Sequence, residues 1–151
     1  MAEQKNLLFF SREMIEQVVK AINEDKEFQK IGKGMNHKHV FLISDFPNGT
    51  DVIVMYNFRD GKIVSWDWLA KPHPFAALDE IEFAKGADFT VKSSYDFYAK
   101  VTRKEVSAMA AMMSPRMKIK GSRMTLAKLM KPMTRMADII AAMPIEFEYP
   151  K

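Results

Sequence analysis

The sequence predicts an α/β domain, a mainly antiparallel sheet covered by helices, and three observations carry that expectation. Asp51 to Phe58 alternates Val52, Val54, Tyr56 and Phe58 onto one face, and Asp60-Gly61 makes a tight turn into a second alternating run, Lys62–Leu69. Upstream, Met14, Ile15, Val18, Val19 and Ile22 recur at helical spacing. Downstream, nine of the 13 methionines fall between Met109 and Met143, in a segment with seven Lys/Arg and one carboxylate, Asp138.

Each element follows from its residues. Ser11 is a helix N-cap, with Glu13 well placed in the first turn. That helix loosens at Asn23-Glu24-Asp25, and Phe28 and Ile31 anchor a short second turn before Gly32-Lys33-Gly34 breaks the path. Val40 to Asp45 is β-rich and ends at Phe46-Pro47-Asn48-Gly49, so three strands form an antiparallel meander. In the third strand Val64, Trp66 and Trp68 share a face opposite Ser65 and Asp67. An apolar sheet face of that size must be covered by helices.

Lys71-Pro72-His73-Pro74 ends the sheet pattern, and residues 72–87 read as a long excursion with a short helix around Ala76–Ala84, the length of a functional lid. Phe89, Val91 and Ser93 restore alternation. Ser94 caps a helix carrying Tyr95, Phe97, Tyr98 and Val101. A helix over Lys104–Met113, stopped by Pro115, and a short strand over Met117–Lys120, stopped by Gly121, come next. The last helix spans about Ser122 to Ala142. Leu126, Leu129, Met130, Met133, Met136, Ala137 and Ile140 form its apolar stripe, and Lys128, Lys131 and Arg135 its basic side. Pro132 removes a backbone hydrogen bond inside it and kinks or splits it, which makes this helix a candidate movable cover.

At 151 residues one domain over 1–151 is expected, with its core at about 8–140. Hydrophobic content of 48% and charged content of 28% are those of a globular protein. The absence of cysteine excludes disulfides, thiolate metal sites and a Cys nucleophile. The opening MAEQKNLLFF holds an apolar run of only four residues, too short for a signal-peptide core or a membrane span. The closing EYPK is not a peroxisomal ending, so a cytoplasmic location is expected. Residues 100–135 hold ten Lys/Arg against Glu105, a net +9, while the remainder, with 13 bases and 18 acids, carries −5. Such polarity orients a molecule toward phosphates, anionic lipid surfaces or acidic ligands.

Chemistry-bearing motifs are scarce. There is no Gly-x-Ser-x-Gly elbow, phosphate-binding glycine loop, dinucleotide fingerprint or His-Glu-x-x-His. His37 and His39 fall on one side of an extended segment and need a third ligand such as His73 to hold a metal. That spacing is weak, and a structural or solvated role outweighs it, so neither a metal nor a cofactor is assigned. Asp67 lies opposite the indoles and reads as a solvated strand residue. Tyr95, Phe97 and Tyr98 beside basic residues resemble a single-strand stacking platform, but their helical spacing buries them and no nucleic-acid motif accompanies them.

From Gly86 onward, Asp88–Val91, Ser93–Phe97, Lys118–Gly121 and Met124–Met130 occur in an order and spacing that resemble the sterol carrier protein type two family. The family pattern is an Asp-x-x-hydrophobic strand, a Ser-x-x-Asp/Glu-Phe helix start, a helix, a Lys-Ile/Val-Lys-Gly strand and an amphipathic helix. The N-terminal half agrees in order, down to Asp60-Gly61 at the second hairpin, so the resemblance spans roughly 8–140. Ser122, where the family often has an acid, and the length of 72–87 depart from it.

The resemblance implies a five-stranded sheet and helices enclosing a hydrophobic tunnel. It also implies non-enzymatic binding and transfer of lipids such as fatty acids, acyl-CoA or sterol-like molecules. One wall is expected from Val54, Trp66, Trp68 and Phe89. The other is expected from Met109, Met112, Met113, Leu126, Leu129, Met130 and Met133, whose thioethers repack around differing shapes. Lys118, Lys120 and Arg123, beside Gly121, are the headgroup candidates. Lys128, Lys131 and Arg135 face away, toward a transient membrane-surface or enzyme contact. Two rivals remain open: an accessory module for a lipid-metabolising enzyme, and an enzyme using Asp67, Tyr56 or a histidine on a lipophilic substrate. Oligomeric state is not legible.

Overall fold

The structure, a computed structural model, describes residues 6–149. MAEQK and Pro150-Lys151, on which the readings of the two chain ends partly rest, lie outside them. Five strands make the main sheet: β2 (Lys38–Ser44), β3 (Thr50–Arg59), β4 (Lys62–Pro72), β5 (Phe89–Ser94) and β6 (Lys118–Lys120). Their order is β4-β3-β2-β5-β6. All neighbours are antiparallel except β2 and β5, which run parallel.

Helix α1 (Arg12–Glu24) starts where Ser11 predicts, the hydroxyl accepting from the Met14 N–H at 3.1 Å. Met14, Ile15, Val18 and Ile22 are its buried face. Asp25 caps α2 (Lys26–Ile31), its carboxylate accepting from the Phe28 N–H at 2.8 Å. Helix α3 (Tyr95–Thr102) begins at Ser94, as its sequence requires.

Three predicted features are corrected. Asn57 pairs with Ser65 and Phe58 with Ile63, so Val64 is left over in a β-bulge. The bulge turns Ile63 inward and leaves Val64 58% exposed, off the face that Trp66 and Trp68 share. The helix expected from Lys104 starts later, as α4 (Ala108–Met113): Lys104 has left-handed backbone (φ 61°), and Ser107 is the N-cap. The excursion after β4 holds two 3-10 turns, Leu78–Glu80 and Glu82–Ala84, in place of a helix. Its Phe75, Leu78 and Phe83 pack on Val40, Leu42, Ile53 and Met55. It therefore covers the second face of the sheet, away from the helices. Asp51, 1% exposed, fixes its start, accepting from the Phe75 N–H at 2.9 Å and the Asp45 N–H at 2.8 Å while hydrogen-bonded to His73 Nδ1 at 2.7 Å.

The last long helix divides as Pro132 predicts, into α5 (Arg123–Lys128) and α6 (Met130–Ala141). Proline cannot donate to the Lys128 carbonyl, and the break falls at that carbonyl, leaving Pro132 in the first turn of α6. Strand β1 (Leu7–Leu8) pairs in parallel with β7 (Ile145–Glu146), two strands the sequence did not reveal. The Leu7 and Phe9 N–H groups donate to Pro144 and Glu146, and the Tyr149 and Tyr95 hydroxyls donate to the carbonyls of Phe9 and Phe147.

Candidate functional site

The helix-covered face of the sheet is used in two halves. Over β3 and β4 lies α1: Trp68 Nε1 donates to the Phe10 carbonyl at 2.8 Å, and Arg12 stacks 5.3 Å from the Trp66 ring centroid. Val54, opposite Trp68 in register, is fully buried in this half. The tryptophans thus pack beneath α1, and the methionine stripe faces a different part of the sheet.

Over β2, β5 and β6 the packing leaves an apolar cavity of about 120 Å³. Strand register builds its floor: His39 pairs with Phe89, Phe41 with Val91, and Val91 with Ile119, so alternate residues of three strands form two rows facing the helices. The roof comes from α3 (Tyr98, Val101, Thr102), α4 (Ala108, Ala111, Met112), α5 (Leu126) and α6 (Met133, Met136, Ala137, Ile140), with Met117 closing one side. A larger hollow of about 420 Å³ lies between α1 and the Met143-Pro144 segment, but it is an open groove lined with Glu13, Lys20 and Glu24. The smaller cavity is the one whose filling would remove apolar surface from water.

Of the predicted wall, the structure gathers Phe89, Met112, Leu126 and Met133 around this cavity. Leu129 is buried in the main core and Met130 is half-buried, neither on the wall; Met109 and Met113 are 62% and 82% exposed on the outer side of α4. Lys118 and Lys120 flank the wall residue Ile119, so they project from the opposite face of β6; with Arg123 they are exposed. Lys128 and Lys131 are exposed as well. Arg135, expected at a membrane or partner contact, is instead bound bidentately to Asp25, Nε to Oδ2 at 3.0 Å and Nη2 to Oδ1 at 2.8 Å. That guanidinium holds the Asp25 carboxyl below its usual range.

Among the described residues, no Lys, Arg, Asp or Glu lines the cavity. Its polar side chains are His39, Tyr98 and Thr102, and the Thr102 hydroxyl already donates to the Tyr98 carbonyl at 3.0 Å. Burial raises the Tyr98 phenol above its usual pKa and so keeps it neutral. Burial first, then the neighbouring His37 charge, pushes His39 down to about 4. The three histidines do not converge, because His73 is engaged by Asp51, and no metal-holding cluster exists among the described residues. Neither Tyr56 nor Asp67 reaches the wall; the Asp67 carboxylate accepts from the Trp68 N–H at 2.9 Å. Sequence reasoning missed His39, Phe41 and Tyr98 as wall residues. The parallel β2–β5 pairing, which closes no local turn, sets His39 and Phe41 beside Phe89 and Val91, and α3 carries Tyr98 over Phe41.

Fold and cavity together define a small α/β domain with an apolar hollow between a sheet and a methionine-rich roof. The model of the SCP-2 sterol transfer family matches residues 59–134, and the chain belongs to that family, one of lipid binding and transfer. In structure it is similar to a crystal structure of sterol carrier protein 2, with a TM-score of 0.72 at 13% identity, covering 89% of this chain and 98% of that one. A conserved hypothetical protein from Thermus thermophilus gives a TM-score of 0.72 at 12% identity, with 97% of each chain covered. Sterol carrier protein domain 2 of Helicoverpa armigera gives 0.54 at 17% identity, covering 91% and 96%. At such identities the likeness is one of fold. No curated protein matches the chain by sequence. Among the described residues, no helix is long and apolar enough to cross a membrane.

Proposed function

We propose that this single domain binds and transfers a hydrophobic small molecule, a fatty acyl chain or sterol-like lipid, without a covalent reaction. The cavity under α4–α6 is its binding site. The observation that supports this most is a wall free of charged side chains, built across three strands and four helices of a lipid-transfer family domain. Each methylene buried there contributes about 0.8 kcal/mol. At about 120 Å³ the cavity is smaller than the several hundred Å³ a drug-sized ligand fills, so an acyl chain enters by repacking the roof. Met112, Met133 and Met136, unbranched and polarizable, suit that role.

Native mass spectrometry of purified protein, followed by solvent extraction and titration with a fluorescent fatty acid and a fluorescent sterol, tests the reading. Wild-type protein is expected to bind one of these probes, and Ala137→Phe, which fills the cavity from α6, to lose it while keeping its circular dichroism. A clean apo protein that takes up neither probe would sink the proposal. For a partner, we propose transient contact with an anionic bilayer. Met109 and Met113 of α4 and Met124 of α5 (74% exposed) are exposed, and α5 also carries exposed Arg123 and Lys128.

A further inference from the structure

We infer that the Tyr98 hydroxyl is the polar anchor of this cavity, donating to an uncharged oxygen at the inner end of a bound lipid. The inference rests on the cavity being the binding site and adds the ligand's direction and the chemistry of its inner end. The unpartnered polar atoms sealed within the described residues are His37 Nδ1, His39 Nε2 and Ser93 Oγ. The Tyr98 hydroxyl likewise makes no hydrogen bond among the described residues, but it is not sealed, and its half-buried side chain lines the cavity. Loss of water around the phenol raises its pKa, so the space it opens on is interior and not bulk solvent. Buried polar groups nearly always have a partner, and a hydroxyl left free on a cavity wall is open to one.

Ring contacts hold that hydroxyl in place. Tyr98 stands edge-on to Phe10 at 5.1 Å and to Phe41 at 6.3 Å, with Phe9 also at 6.3 Å. Phe9 and Phe10 lead into α1, so Tyr98 marks the end of the cavity toward the α1-covered half, and Ile119 on the edge strand β6 marks the other. The remaining polar groups do not offer the same opening. Thr102 has committed its hydroxyl to the Tyr98 carbonyl, and His39 is 4% exposed with its unpaired Nε2 sealed. Burial first, then Tyr98, raises the pKa of Tyr56, a neighbouring phenol that is 2% exposed and off the wall. A carboxylate beside Tyr98 would meet no wall Lys or Arg, and its charge would stay unpaired at high cost. A hydroxyl or carbonyl oxygen accepts from the phenol O–H and brings no charge. The cavity therefore takes a lipid alcohol or ketone oxygen first, whereas a fatty acid leaves its carboxylate outside.

The test titrates 1-octanol, 2-octanone and octane into wild-type protein, Tyr98→Phe, Tyr56→Phe and His39→Leu. Tyr98→Phe is expected to weaken the alcohol and the ketone about five- to tenfold while octane changes by less than about twofold. Tyr56→Phe and His39→Leu are expected to keep the wild-type preference for the two oxygen-bearing probes over octane within about twofold. Equal loss of all three probes in Tyr98→Phe, no loss there, or an oxygen-selective loss in either of the other variants overturns the anchor. Wild-type protein that binds none of the three overturns the carrier reading beneath it. If Tyr98→Phe does not fold, the hydroxyl-bearing ring carbon of wild-type Tyr98 is followed by NMR. A shift on adding 1-octanol but not octane is expected, and its absence overturns the assignment.

Discussion

Burying His39 between Phe58 and Phe89 strips its ring of water, which disfavours the imidazolium and brings its pKa from 6.5 to about 4. The unfolded chain therefore takes up this proton first as pH falls, and stability drops across the window from about 6.5 to about 4. Between pH 7.5 and 4.5 the effect is on the order of 2–3 kcal/mol. Urea unfolding at the two pH values should show a smaller loss in His39→Leu than in wild type by that amount. Gly121 is the second decisive residue. Its backbone is left-handed (φ +148°), and an added Cβ would meet the Phe89 ring and lie 2.8 Å from the Asp88 carbonyl oxygen. Gly121→Ala should cost about 1–3 kcal/mol in urea unfolding and disturb the cavity floor through Phe89. The close approach of Gly121 to Phe89 could not be read from the chain, because it depends on how β6 lies against β5.

At the scale of elements, capping and backbone chemistry made the helices legible. Ser11, Ser94 and Pro132 mark starts and a break that the structure reproduces, each acting on hydrogen bonds within a few residues of itself. Where long-range contacts decide, the sequence was silent. The Val64 bulge depends on register with β3, and the 72–87 segment acquires its role only from the apolar back face formed by Val40, Leu42, Ile53 and Met55. Asp25 combines both kinds of information, capping α2 locally and binding Arg135 of α6 across the molecule. Asp25→Ala should lose about 1 kcal/mol from the cap alone, whereas Asp25→Asn keeps a capping oxygen and loses only the charge pairing. Comparing their urea midpoints with that of Arg135→Ala separates the two roles: Asp25→Asn and Arg135→Ala should match, and Asp25→Ala should fall below both.

For the whole molecule, the segregation of charge was visible in composition, but its disposition was not. Arg135 is withdrawn into an intramolecular pair, while Lys128 and Lys131 remain exposed on the side of the roof. Binding to vesicles containing phosphatidylserine should therefore weaken in Lys128→Glu/Lys131→Glu and fall as salt rises, whereas neutral vesicles should bind little at any salt. Cosedimentation measures both. The placement of the predicted wall divides on the same principle. Met112, Leu126 and Met133 lie on the cavity because helical periodicity is local, and Trp66 and Trp68 lie beneath α1 because the position of a helix over a sheet is not.

The parallel clasp of β1 and β7 joins residues 7 and 145, so it encloses nearly the whole chain in one loop. A contact of such long range is costly to form before its flanking elements have docked, and it has only two residues of ladder to repay that cost. In kinetic terms it is the last seam to close and the first to open. During refolding, the Leu7 and Phe9 amides should gain protection from exchange after those of β2 and β3, and native-state exchange should release them at a lower opening energy than the sheet.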